Sequence, residues 1–408
     1  MLSAMKTRLA TNVACTAILL VAGTVVPAEA DGYSDGKITL GVLTDLSGAY
    51  SDIAGMGSVE AVKMAVEDFG TVNGIQVDMI SADHQNKADI ASGIAREWYD
   101  EKGVDAIFDL TNSSVALAVA TISQEKHRIA MVSGASTTRL TTDSCTPNTI
   151  QYVYDANSVA NVLGKAVVRS GGDSWYFITV DYAFGLSLQS SASKVVEAAG
   201  GKILGSVKHP LGASDFSSVV LQAQASGAKV VALANGGADT INAIKATKEF
   251  SITPTQNVVS MATTLTEVNG LGLDNAQNLL FTEGFYWDRD DQTRKWSTRY
   301  FERMSKMPNS YQAGMYSAAL TYLKAAAATK TDDASDVMKY IKSTPINDVF
   351  TTNGRVRSDG LHVHDMYLLQ VKSPSESKYP WDYMNVIATV AGEDAFSPMT
   401  PGACKYVE

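Results

Sequence analysis

The chain has 408 residues and carries 33 Lys and Arg against 43 Asp and Glu, a formal net charge of −10. An acidic surface repels phosphate backbones and anionic lipid, which makes nucleic acid and membrane surfaces poor partners. The length is enough for about two domains with real cores.

The first thirty residues read as an export signal. Lys6 and Arg8 give a positive start, Val13 to Val26 is apolar, and Ala28-Glu29-Ala30 puts small residues where a signal peptidase cuts. The apolar run is too short, and its exit too polar, for a spanning helix. Cys15 lies at the start of that run rather than its end, which favours cleavage over a lipoprotein anchor. Cleavage near Asp31 removes Lys6, Arg8 and Glu29, so the charge moves from −10 to −11. A signal peptide at 1–30 and a periplasmic protein are therefore expected. Cys145 and Cys404 are the cysteines that remain, and in an oxidising compartment they suggest a disulfide tying down the C-terminal tail. Two free thiols are the alternative; neither cysteine has a neighbouring cysteine or histidine that would suggest a metal or redox pair.

Short β-rich runs then alternate with longer amphipathic ones. Ile38–Leu43 is followed by Val59–Val66, whose apolar residues recur at helical spacing. Val77–Ile80, a helix around Ile90–Tyr99, Asp105–Phe108, a helix from about Ser113, and Ile129–Val132 continue the rhythm. Repeated strand-helix units predict a parallel sheet covered on both faces. After a passage rich in Thr, Asn and Tyr (141–157), strands are expected at Trp175–Val180, Ile203–Val207, Val230–Leu233, Val258–Ser260 and Leu279–Phe281. One intervening helix runs from Asp215 through Ala225 to a Gly227 cap. From Arg289 to Ile341 the pattern is helical, and two strand-like runs, Met366–Val371 and Tyr383–Val390, close the chain.

The expected fold class is α/β, with two doubly wound parallel-sheet lobes joined by a multi-strand hinge. The late helices cannot form a lobe alone and are expected to return to the first. The organisation that follows is lobe 1 from 31–155 plus about 286–345, lobe 2 from 156–285 plus about 346–395, and a tail at 396–408. A chain that crosses between lobes more than once has a hinge architecture.

Ligands of open parallel sheets sit beyond the carboxyl ends of the strands. In the first lobe those loops are Thr44–Tyr50, Asp109–Ser114 and Ser133–Thr138, rich in hydroxyls and glycine. The second lobe offers Asp181–Gly185, Ala234–Asp239 and Met261–Thr264, with aromatic and small residues that include Asn235 and Thr263. Such a cleft grips a small polar group on one side and packs a flat or apolar group on the other. Asn112-Ser113-Ser114 opens a helix, whose free N–H groups and dipole favour an anion. With the hydroxyls of Ser113, Ser136 and Thr137 it makes a carboxylate socket that needs no arginine, although Asn112 and Ser113 also read as ordinary helix caps.

The order of these segments resembles the branched-chain amino-acid type of ABC-transporter solute-binding protein, of the type I periplasmic-binding-protein fold. The resemblance rests on Ile38–Gly48, Ser133–Thr137, Asp181–Gly185, Asp215–Ser218 followed by Gly227–Val231, and Gln312–Ala318. It implies that Ser113 and Thr137 bind a ligand carboxylate and that the Ala135 carbonyl receives a ligand ammonium. It also implies that Tyr50 and Phe184, with Tyr182 beside it, close over the side chain. The implied partner is an ABC permease in the inner membrane; a monomer is expected, and no cofactor is implied. A sensory protein of the same fold is the alternative.

Two departures bear on the ligand. Where leucine-type members place a glutamate, this chain has Met261–Thr264 and no acid before Glu267. The preceding tyrosine-bearing loop is replaced by Asn235–Ala238, which is expected to widen the pocket. A buried ammonium without a counter-charge is costly, so a larger carboxylate lacking an amine, such as an aromatic or keto acid, fits better unless Asp239 turns inward.

Nothing commits to catalysis. His362 and His364 share one face of a strand at a spacing that can hold a metal, but no third ligand is near in sequence. Phe184-Gly-Leu-Ser187 is not a nucleophile elbow, and Gly55-Met-Gly57 lacks the third glycine of a dinucleotide site. Phe285-Tyr-Trp287 and Trp296 are either pocket wall or lobe packing.

Overall fold

In the structure, a computed structural model, residues 32–252 and 255–407 are described, and the signal expected at 1–30 lies outside them. The first lobe is built from β1 (Ile38–Thr44), α1 (Gly55–Phe69), β2 (Val77–Asp83), α2 (Ala88–Glu101), β3 (Ala106–Asp109), α3 (Ser113–Glu125), β4 (Ile129–Val132) and β5 (Thr149–Gln151). Its sheet is parallel throughout, in the order β2-β1-β3-β4-β5. Alternate residues of one strand serve opposite cores. Leu40, Val42, Phe108 and Met131 join the cluster on one face, while Leu43, Ile107, Ala130 and Val132 join Trp98, Val115 and Val119 on the other. Both faces being buried explains the unbroken apolar runs. Gly41 is needed on the second face, because a Cβ there would lie 2.6 Å from the Trp98 indole.

The second lobe follows as α4 (Ala156–Val159), α5 (Lys165–Arg169), β6 (Ser174–Val180), α6 (Ala183–Ala198), β7 (Lys202–His209), α7 (Ser217–Ala225), β8 (Val230–Ala234), α8 (Ala238–Glu249), β9 (Asn257–Ser260), α9 (Leu265–Leu271), α10 (Leu273–Ala276) and β10 (Leu280–Glu283). Next come α11 (Asp291–Met304), α12 (Ser310–Thr329), α13 (Ala334–Ser343), the short pair β11 (Arg355–Val356) and β12 (His362–Val363), then β13 (Met366–Val371), β14 (Met384–Val390) and α14 (Gly392–Ala395). The seven-stranded sheet has the order β14-β13-β10-β9-β8-β6-β7, with β13 alone antiparallel to its neighbours β10 and β14.

The helix α12 packs along α1 and over β3, so the chain does return to the first lobe. It then leaves again through β11 and β12 to reach β13 in the second sheet. Three segments therefore cross between the lobes. The short strand β5, inside the stretch that shows no strand pattern in the sequence, leads into the first crossing. Its Gln151 N–H donates to Gly360 O of the third at 2.9 Å. The third crossing carries the two histidines, and both are buried rather than on the surface. His362 Nδ1 lies 2.9 Å from Tyr152 O and His364 Nε2 lies 2.8 Å from Val153 O. Phe285 stacks on Phe350 and meets Trp296 edge-on, so these aromatics pack the hinge and α11.

Cys145 and Cys404 form a disulfide across a sequence separation of 259, with Cα atoms 5.6 Å apart. The tail thus runs from α14 of the second sheet's lobe back to a loop of the first. No helix among the described residues is long and apolar enough to cross a membrane.

Candidate functional site

The loops at the carboxyl ends of β3 and β4 set one wall of the cleft. Asp109 and Leu110 both take left-handed backbone, φ 81° and 54°, an uncommon and costly pair of non-glycine residues that turns the chain sharply out of β3. Asp109 is fully buried and accepts from Ser133 Oγ and, at 3.0 Å, from Thr111 Oγ1. One carboxylate thereby pins both loops. Burial raises its pKa, opposed by those hydroxyls.

Asn112 is the cap of α3: its Oδ1 accepts from Ser114 N at 2.9 Å and Val115 N at 3.2 Å. That leaves Ser113 free of capping duty. Ser113 and Ser136 are each 0% exposed, and the Oγ of each has no hydrogen-bond partner. Thr137 is engaged, its Oγ1 accepting from Ser187 Oγ of the opposite lobe at 3.1 Å. The Ala135 carbonyl accepts from Gln151 Nε2 at 2.8 Å. Tyr154 Oη donates to Gly134 O at 3.0 Å and lies 3.0 Å from Tyr311 Oη, the two rings stacked at 5.8 Å.

On the aromatic side, three rings from the two lobes meet. Tyr50 Oη and Tyr182 Oη are 2.6 Å apart, each from a different lobe. Phe184 stacks on Tyr182 at 5.9 Å and meets Tyr50 edge-on at 6.1 Å. Burial raises the pKa of both phenols, so they stay neutral and serve as hydrogen-bonding, apolar walls.

Three residues proposed from sequence are committed elsewhere. Asn235 faces back into its lobe, with Nδ2 3.1 Å from His209 Nε2 and Oδ1 accepting from Thr240 Oγ1 at 2.8 Å. Thr263 donates to Ser260 Oγ at 2.6 Å. Asp239, in the first turn of α8, accepts from Gly212 N at 3.1 Å, and its Oδ1 has no partner. Burial pushes the Asp239 carboxyl up to about 6.

The loop 235–238 does not widen the pocket, because the other lobe fills the space. Ala238 N donates to Ala49 O at 3.0 Å, and a Cβ on Gly237 would lie 2.2 Å from that same oxygen. Gly237 also has φ +62°, which a side chain disfavours. The lobes are shut on one another, held further by Asn309 Nδ2, which donates to Ile53 O at 2.9 Å and Thr264 Oγ1 at 3.2 Å.

Sequence reasoning left out two acids and two tyrosines. Glu267, three residues beyond the expected place, is 1% exposed. It caps α9 by accepting from Thr264 N at 2.8 Å and Thr264 Oγ1 at 2.5 Å, and it also accepts from Gly237 N at 2.9 Å. The Thr264-x-x-Glu267 capping box is visible in the sequence and was the available signal. Glu283 at the end of β10 accepts from Ser310 N at 3.3 Å and Ser310 Oγ at 3.0 Å. Tyr154 and Tyr311 carry no local motif.

A family model described as periplasmic binding protein matches residues 37–378. A periplasmic binding protein from Burkholderia mallei is 48% identical, the match covering 91% of this chain and 99% of that one with a TM-score of 0.89. A branched chain amino acid ABC transporter periplasmic ligand-binding protein from Burkholderia xenovorans LB400 is 40% identical over 91% of this chain and 100% of its own, with a TM-score of 0.82. An ABC-transporter solute binding protein from R. palustris, solved in complex with benzoate, shares the fold at 15% identity over 90% of this chain and 99% of its own, with a TM-score of 0.80. Two lobes, a three-segment hinge and a cleft walled from both sides thus agree with the likeness in sequence: the chain belongs to the periplasmic binding protein family, whose members bind solutes and are not enzymes.

Proposed function

We propose that this protein is the periplasmic receptor of an ABC importer, taking a small organic carboxylate between its lobes and releasing it to a permease in the inner membrane. The observation that carries this reading is the pair of orphaned hydroxyls, Ser113 Oγ and Ser136 Oγ. A buried polar group without a partner costs about 1–3 kcal/mol, so two in adjacent loops are a standing cost that a bound anion removes. The start of α3 adds the positive end of a helix dipole. No arginine is required.

Two of the similar structures carry names of carboxylates: the branched chain amino acid in that of the B. xenovorans protein and the benzoate in that of the R. palustris one. The aromatic wall of Tyr50, Tyr182 and Phe184 suits a flat or apolar body in either case. Closure supplies the transport logic. Contacts from both lobes exist only when the cleft is shut, so a ligand touching both shifts the hinge equilibrium and presents the closed form to the permease.

Thermal-shift measurements with small carboxylates and their amides test this. Stabilisation by the acids and none by the amides is expected. The Ser113→Ala plus Ser136→Ala variant should lose about 100-fold or more in affinity, since charged hydrogen bonds contribute about 1.5–3 kcal/mol each, while its melting temperature without ligand holds or rises. Undiminished binding in that variant would refute the socket.

A further inference from the structure

The helix α6 brings more than aromatic rings to the cleft. Phe184 and Ser187 are three residues apart and are neighbours on the helix surface, with Phe184 against Tyr182 and Tyr50. The helix is seated tightly on its own sheet: a Cβ on Gly185 would lie 2.2 Å from Val180 O and 2.9 Å from Ala234 O. That seating fixes where Ser187 reaches. Its hydroxyl crosses to the first lobe and donates to Thr137 Oγ1 at 3.1 Å.

Thr137 is held from its own lobe as well. Its carbonyl oxygen accepts from Gln151 Nε2 at 3.2 Å, and the same amide donates to Ala135 O at 2.8 Å. Thr137 is 0% exposed. Because Ser187 is the donor, the Thr137 proton has to point away from it, and among the described residues no acceptor receives that proton. Thr137 therefore has an oxygen in use and a proton to give. Ser113 and Ser136 have no partner either. Three hydroxyls with unmet protons make a donating site, which suits an anion better than a group carrying hydrogens of its own.

We propose that Ser187 is a positioning residue for the anion: by donating to Thr137 it turns the Thr137 proton towards the ligand carboxylate, and it does so only when the lobes are shut. This rests on the receptor reading above and names a second-lobe side chain that couples its anion site to closure. Opening withdraws Ser187 and frees the Thr137 hydroxyl to rotate, so the open cleft holds the anion less well. A carboxylate bound on the first lobe thus favours the closed state without touching Ser187 itself.

A double-mutant cycle on the purified exported protein tests this, with Ser187→Ala, Thr137→Val and the two together. The probe is the small carboxylate that raises the melting temperature most in a panel that includes leucine, valine and benzoate. Affinity is read by calorimetry and rates by stopped-flow fluorescence. Ser187→Ala should weaken binding about three- to tenfold, the contribution of one neutral hydrogen bond. The loss should appear as faster dissociation, with the association rate within about twofold of wild type. In the Thr137→Val background the same change should cost less than about twofold, because the hydroxyl that Ser187 orients is gone. A residue that merely packs the lobes together would cost the same in both backgrounds, and equal losses overturn the proposal. Wild-type affinity in Ser187→Ala overturns it equally. Full affinity in Thr137→Val overturns it while leaving the receptor reading, which rests on Ser113 and Ser136, in place. If no small carboxylate stabilises the protein, the receptor reading fails and this proposal with it.

Discussion

His364 Nε2 lies 2.8 Å from the carbonyl oxygen of Val153, joining the third segment that crosses between the lobes to the first. The ring also packs against Phe350 at 4.8 Å and Phe396 at 5.2 Å, so one side chain braces the hinge from several sides. Replacing it with alanine leaves a cavity and an unpaired buried carbonyl. His364→Ala should cost about 2–4 kcal/mol in urea unfolding. A loss under about 0.5 kcal/mol would show that the brace is dispensable.

Gly237 is where closure leaves no room for a side chain. Gly237→Ala puts a methyl group 2.2 Å from Ala49 O across the cleft. The folded lobe should lose only about 1–2 kcal/mol, the cost of a strained φ, but the closed state should lose far more. Ligand affinity is expected to fall more than tenfold, with small-angle scattering showing an open form even at saturating ligand. Normal closure in the variant would contradict the contact.

Glu283 makes stability depend on pH in a particular direction. Its pKa is raised by burial from the usual 4.5 to about 8. The folded protein therefore holds a proton that the unfolded chain has released. This contribution is fully present below 4.5 and is lost as pH rises towards 8. Glu283→Gln removes it, so the ligand-free variant should gain stability relative to wild type between pH 5 and pH 8. Parallel stability curves for the two proteins would sink this account.

The Cys145–Cys404 bond ties the tail to the first lobe. A cross-link over so long a loop restricts the unfolded chain, and its loss in Cys145→Ser plus Cys404→Ser should cost about 2–4 kcal/mol. Reducing agent should lower the melting temperature of the wild type to that of the variant. Because the bond lies away from the cleft, affinity at 25 °C should change less than twofold.

The strand and helix rhythm was legible because each element buries a periodic face. The N-terminus of α3 was legible because Asn112 is a strong local cap. Asn235 was misleading: a loop asparagine after a strand suggests a ligand contact, but the buried His209 ring takes it as a partner. The acids were hidden for a different reason. Glu267 sits in a capping box, so its sequence context describes a helix start and not its meeting with Gly237. Glu283 gains its role from Ser310, 27 positions away, once α12 has swung back to the first lobe.

By itself the sequence determined the two α/β lobes, the crossing of the hinge and the hydroxyl-rich loops, because periodicity, caps and turn residues act over a few positions. Only the tertiary structure decided which groups in those loops are unpaired. Ser113 and Ser136 are left without partners while Thr137, Thr263 and Asn235 are taken. Burial makes a hydroxyl without a partner costly, and only the arrival of distant residues settles whether a partner exists.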